Sequence, residues 1–152
     1  MTVFISRVTA VVLMLLVSGC VGPAPKIEET TFATALGVDL MASQQVGGMY
    51  VRDVVVGTGA AAAIGSTLTV RYSGALANGS VFDANSEPSV PFKFRLGVGE
   101  VISGWDVGLE GMKVGGTRQL IIPPAMGYGV QGAPPAIPPN AILVFTVTLI
   151  SA

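Results

Sequence analysis

The sequence has 152 residues, of which 8 are Lys or Arg, 9 are Asp or Glu, one is Cys and none is His, giving a formal charge of -1. No basic surface is available to neutralise a run of phosphates, which argues against nucleic acid as a partner, and the absence of imidazole excludes Ser-His-Asp and Cys-His catalysis and the usual transition-metal cages. The length suits one domain with a real core, and neither a metal nor any other cofactor is expected.

At the N-terminus, Arg7 is followed by ten uncharged residues, Val8–Val17, and then by Val17-Ser18-Gly19-Cys20. That apolar run is too short to cross a bilayer, which takes roughly 20 residues, so residues 1–19 are expected to be a signal peptide. The sole cysteine behind small residues resembles the lipobox of bacterial lipoproteins. The resemblance implies cleavage before Cys20, acylation of its thiol and a lipid anchor in the cell envelope. Val21, where an Asp would retain a lipoprotein at the inner membrane, implies the outer membrane, facing the periplasm, in a host that has one. A plain signal peptide with an incidental Cys is the alternative. Residues 20–48 contain Pro23, Pro25, Glu28 and Glu29 and no sustained amphipathic period. They read as a lipidated N-terminus and tether, with at most a short helix over Thr34–Ser43.

Strand periodicity starts at Met49, and residues 49–152 read as the folded domain. Tyr50–Val56 ends at Gly57-Thr58-Gly59, and Ala60–Ala63 is too short to nucleate a helix. Thr67–Ala77 alternates, with Leu68, Val70, Tyr72 and Leu76 on one face and polar residues on the other, which predicts a strand wet on one side. Asn78-Gly79 predicts a two-residue type I′ hairpin into Val81-Phe82-Asp83. Phe92–Leu96, Thr117–Ile122 and Ala141–Ser151 are further strands, the last with Leu143, Phe145, Val147 and Leu149 on one face. Between them Val101–Met112 is the one plausible helix of the domain, with Trp105, Leu109 and Met112 on a common face. The elements define an α+β domain with an antiparallel sheet and one short helix.

These elements carry a recognisable series of motifs: Val70-Arg71-Tyr72-Ser73-Gly74, Asn78-Gly79-x-Val81-Phe82-Asp83, Pro91-Phe92-Lys93-Phe94, Gly97-x-Gly99-Glu100-Val101-Ile102-x-Gly104-Trp105, Gly111-Met112-x-Val114-Gly115, Ile122-Pro123-Pro124, Tyr128-Gly129 and Ile137-Pro138-Pro139-Asn140-Ala141-x-Leu143-Val144-Phe145. In this order they resemble the FKBP family of peptidyl-prolyl isomerases, from about Met49 to the C-terminus. The resemblance implies a five- to six-stranded antiparallel sheet wrapped around the helix, with an apolar pocket for a proline ring. It assigns the pocket floor to Trp105 and the walls to Tyr72, Phe82, Phe92, Val101, Ile102 and Phe145, with Tyr128 and Ile137 at the rim. The backbone N–H of Ile102 and the hydroxyl of Tyr128 would hold substrate carbonyls, and Asp83 would accept a hydrogen bond from Tyr72.

Taken singly, Trp105, Phe92 and Phe145 read as core residues; it is their convergence with Tyr72 and Phe82 that favours a cavity. The implied activity is acceleration of X-Pro rotation in extracytoplasmic proteins, with proline-containing polypeptides as substrates and macrolides of the rapamycin class as inhibitors. The alternatives are a non-catalytic proline-binding module and an envelope chaperone. The departures from the family pattern are Pro88, Ala133 and Ala136, which bear on substrate preference and macrolide affinity. A monomer is expected, because the tether is too short and too poorly periodic to resemble the helical extensions of dimeric relatives.

Overall fold

The computed structural model describes residues 23–152, so the signal peptide expected over 1–19, Cys20 and Val21 lie outside the described residues. Seven strands, β1 (Gln44–Val46), β2 (Met49–Val55), β3 (Thr67–Leu76), β4 (Val81–Asn85), β5 (Phe92–Arg95), β6 (Thr117–Ile122) and β7 (Leu143–Ser151), form one sheet with α1 (Ser103–Gly108) packed on one face. All pairings are antiparallel, in the order β1-β2-β6-β7-β3-β4. The long strand β3 also pairs with β5 through Thr67–Val70, while Tyr72–Ala75 pairs with β4. The α+β class holds, and β1 takes the strand count beyond the five or six that the resemblance implied.

The helix is half as long as its apolar spacing suggested. Leu109 N–H donates to Trp105 O in its last turn, and Gly111, at φ 72°, diverts the chain. Trp105, Leu109 and Met112 are nevertheless all buried, because the turn beyond α1 keeps them on the sheet side. Two glycines let this short helix lie close. A Cβ on Gly104 would stand 2.6 Å from Ile122 Cγ2, and one on Gly108 would stand 2.8 Å from Leu120 Cδ2. A helix of six residues with two glycines is unstable alone, so its packing against β6 and Met49 is what holds it.

The hairpin after β3 differs from the two-residue prediction. Only Gly79 has positive φ; its N–H donates to Leu76 O at 2.9 Å and Leu76 N–H donates to Ser80 O at 2.9 Å. This is a three-residue loop ending in a glycine bulge, a longer solution with the same sequence signal. On the polar face of β3, Thr67 and Ser73 are exposed and Arg71 is half-buried as expected, but Thr69 is buried, so that face is wet only in part.

The largest difference lies before β1. Residues 27–40 are not a free tether but a strap across the sheet face opposite α1. Ile27 packs with Ile121, Ile142 and Val144, and Phe32, Leu36, Val38 and Leu40 extend the cluster. The strap contains only two 3-10 turns, Ile27–Glu29 and Thr34–Leu36, so the helix expected up to Ser43 stops at Gly37, which takes φ 58°. Such an irregular backbone needs partners from elsewhere. Gln119 Nε2 donates to Leu36 O at 2.8 Å, Arg52 Nη2 donates to Gly37 O at 2.9 Å and Ala33 N–H donates to Ala77 O at 2.8 Å. Each large aliphatic side chain buried in this way contributes about 2 kcal/mol.

Candidate active site

On the helix face, β3, β4, β5, α1 and β7 converge on an open cavity of about 480 Å³. Its floor is the Trp105 indole, buried and standing edge-on to Tyr72 at 5.1 Å and to Phe145 at 5.3 Å between ring centroids. Phe82 meets Phe145 at 5.5 Å and 87°, and Phe92 meets Tyr72 at 6.0 Å and 73°. Edge-to-face rings attract through their quadrupoles but cannot stack flat, so the space between them stays open. The Trp105 Nε1 is buried with no hydrogen-bond acceptor among the described residues.

Local sequence explains why these rings meet. In β3 and β7, alternation sends Tyr72 and Phe145 to the helix face, and the register pairs Gly74 with Phe145 and with Asp83. A Cβ on Gly74 would lie 2.6 Å from Phe145 Cε1 and 2.8 Å from Phe82 Cζ. Gly74 therefore makes room for the contact between two walls. Sequence reasoning did not single it out as a site residue, although a glycine inside an alternating strand signals a close approach.

The polar atoms are few and directed. Tyr72 OH donates to Asp83 Oδ2 at 2.7 Å. Burial first, and then this bond and the Asp83 charge, push the Tyr72 phenol up to about 12, so it remains a donor throughout the ordinary pH range. Ile102 precedes the first turn of α1, and its N–H donates to no acceptor among the described residues. Tyr128, 41% exposed, stands at the mouth. The expected Tyr72, Phe82, Asp83, Phe92, Val101, Ile102, Trp105, Tyr128 and Phe145 all line this one cavity.

Ile137 does not. It is 4% exposed within the main core, and Ala133 and Ile137 exchange N–H···O bonds of 2.8 and 3.0 Å. Its side chain is buried in the main core and is not among the residues that border the cavity. The reverse case is Glu100, which lines the cavity with Gly99 and was not among the expected site residues. Its Oε2 accepts the Arg95 N–H at 2.7 Å. A Gly-x-Gly-Glu run reads simply as a loop, and the five-residue spacing to Arg95 is the only sequence trace of this bond. Among the described residues no cluster of His, Cys, Asp and Glu could hold a metal ion.

This combination of a curled antiparallel sheet, one short helix and an aromatic cavity defines a class. The family model described as FKBP-type peptidyl-prolyl cis-trans isomerase matches residues 59–150. The chain belongs to that family. It is similar to FK506-binding protein 3 of Yarrowia lipolytica, 52% identical over 112 residues, covering 74% of this chain and 27% of the relative. Among solved structures, AtFKBP13 is 38% identical with a TM-score of 0.65, covering 71% of this chain and 98% of its own. A peptidyl-prolyl cis-trans isomerase from Pseudomonas syringae pv. tomato is 34% identical with a TM-score of 0.66, covering 72% and 80% respectively. The chain spans about a quarter of the length of the curated relatives it matches.

Proposed function

We propose that the chain is a peptidyl-prolyl cis-trans isomerase acting on X-Pro bonds in the cavity above Trp105. The carrying observation is that the aromatic walls, the indole floor, Ile102 and Tyr128 border one open space.

The barrier to X-Pro rotation is about 18–20 kcal/mol and comes from amide resonance, so catalysis needs no bond made or broken. It needs preferential binding of the twisted amide. Aromatic walls hold the pyrrolidine ring while the preceding residue turns. The aromatic floor and walls disfavour the planar, dipolar ground state, and the Ile102 N–H and the Tyr128 hydroxyl hold carbonyls on either side. A thousandfold acceleration requires about 4 kcal/mol of such differential binding. Asp83 fixes Tyr72 and thereby the wall, with no proton transferred. Macrolides of the rapamycin class fit the same cavity as inhibitors. Cis-trans exchange of an X-Pro peptide, measured with catalytic amounts of the full chain, tests this reading, and no acceleration would refute it.

The residues before Pro23 support a second element of the proposal, a monomeric lipoprotein of the bacterial envelope, on the outer membrane facing the periplasm where the host has one. Among the described residues no helix is long and apolar enough to cross a membrane. Six residues separate Cys20 from Ile27, a reach of at most about 25 Å. An acyl anchor on Cys20 would hold the domain close to the bilayer by its strap face, with α1 and the cavity on the other side of the sheet. Cys20→Ser should abolish incorporation of labelled palmitate; no labelling of the wild-type chain would overturn the anchor.

A further inference from the structure

The Phe82 wall of the cavity gets little support from the sheet. β4 ends the strand order and pairs with β3 alone. Its ladder is also interrupted at the wall residue itself: Gly74 pairs with Asp83 and Ala75 with Val81, so Phe82 is the extra residue of a bulge. A bulged residue on an edge strand is placed by whatever holds the chain on either side of it.

On the C-terminal side that hold is the bond from the Tyr72 hydroxyl to Asp83 Oδ2, 2.7 Å long. On the N-terminal side lies the hairpin loop of residues 77–79. It is tied internally, with Gly79 N–H donating to Leu76 O and Ser80 N–H to Asn78 Oδ1, both at 2.9 Å. Neither bond reaches another part of the fold. The strap makes the outside contact: Ala33 N–H donates to Ala77 O at 2.8 Å, and a Cβ on Gly79 would stand 3.0 Å from the Ala33 Cβ. Among the described residues this is the one hydrogen bond that joins residues 77–80 to a segment outside the hairpin. The strap is itself fixed on both sides of Ala33. Phe32 packs on the cluster of Ile121, Ile142 and Val144, and Leu36 O accepts Gln119 Nε2 from β6, an interior strand. The hairpin is thereby tied, across the opposite face, to the centre of the sheet.

We infer that Ala33 is a positioning residue for isomerisation, and that the strap, acting through the hairpin, sets where Phe82 stands against Phe145. The inference rests on the isomerase reading above. A wall that drifts by a fraction of an ångström loses its grip on the twisted amide, while the sheet and the core remain as they are. Ile27, six residues earlier in the strap, belongs to the apolar cluster and takes no part in the Ala33 contact.

The test is a double-mutant cycle on kcat/KM of the full chain, at equal folded concentration, with Ala33→Pro and Phe82→Leu. Ala33 has φ -60° and ψ 134°, which proline adopts, so Ala33→Pro deletes the N–H and retains the local backbone. It should lower kcat/KM about fivefold with the Phe82 ring present and less than about twofold in the Phe82→Leu background. Ile27→Ala weakens the strap without touching this bond and should leave kcat/KM unchanged. Should Ala33→Pro fail to fold, Ala33→Val crowds Gly79 with the N–H kept and takes its place in the cycle, with the same non-additivity expected. Additive losses, no loss in the single variant, or an equal loss in Ile27→Ala would overturn the inference and leave the functional reading standing. No isomerisation by the wild-type chain removes both together.

Discussion

The two faces of the sheet are built from alternate residues of the same strands, yet one is closed and the other holds a cavity. On β6 and β7, Leu120, Ile122, Leu143 and Phe145 face α1, while Ile121, Val144 and, just before β7, Ile142 face the strap. The strap lays aliphatic side chains along its face and leaves Ile121 and Val144 buried. The opposite face is covered by a six-residue helix, too short to reach the end where Tyr72, Phe82 and Phe92 stand. Rings meeting edge to face do not fill that end. The site thus arises where a short cover meets large, rigid side chains, beside the main core, while the strap closes the other face of the sheet.

This division can be broken from either side. The largest expected effect on stability is at Ile27. Ile27→Ala removes a buried side chain from the strap cluster and should cost about 3 kcal/mol in urea unfolding, with kcat/KM of the folded fraction unchanged. A loss below about 0.5 kcal/mol would mean that the strap is not part of the cooperative unit. Gly74→Ala sharpens the comparison from the other side. Its methyl would meet Phe145 and Phe82 at less than 3 Å, which forces the walls apart at a cost of about 2 kcal/mol, and kcat/KM should fall tenfold or more. Turnover within twofold of wild type would show that the Phe82–Phe145 contact is dispensable.

The smallest effect concerns pH, and each face carries one tyrosine–carboxylate pair. The folded-state pKa of Tyr72 is raised to about 12, from 10 in the unfolded chain, by burial and the Asp83 bond. Its contribution to stability is therefore complete below about pH 10 and is lost as pH rises to about 12. Tyr50 behaves with the same sign, because its hydrogen bond to Glu28, 2.8 Å long, raises its pKa too. Tyr72→Phe should lower stability below about pH 10 and flatten its fall between about pH 10 and 12, and Tyr50→Phe should flatten the alkaline fall in the same sense. Profiles identical to wild type in both variants would contradict the assigned bonds.

The two faces were not equally legible in the sequence. The helix face could be read because alternation in Leu143, Phe145, Val147 and Leu149, the spacing of Trp105, Leu109 and Met112, and motif positions all point to one interior. The strap could not, because the steps between Ile27, Phe32, Leu36, Val38 and Leu40 are five, four, two and two residues, so no single helical or strand period runs through them. Its backbone is satisfied by Arg52 and Gln119, residues distant in sequence. A trace of it exists nonetheless: Leu120-Ile121-Ile122 and Ile142-Leu143-Val144-Phe145 are continuous apolar runs, the mark of strands covered on both faces. At the site, the aromatic residues were legible as a set, whereas Ile137 and Glu100 exchanged places between rim and background. That exchange depends on loop hydrogen bonds, Ala133 with Ile137 and Arg95 with Glu100, which no periodicity encodes.

The central claim is that X-Pro bonds rotate in the aromatic cavity of the helix face. Two-dimensional exchange NMR on an X-Pro peptide, with a catalytic amount of the full chain and of Phe82→Ala at equal folded concentration, measures this directly. The account predicts acceleration by the wild-type chain and loss of at least tenfold of it in Phe82→Ala, whose half-exposed ring contributes more to the cavity than to stability. No acceleration by the wild type, or equal acceleration by both proteins, would contradict it.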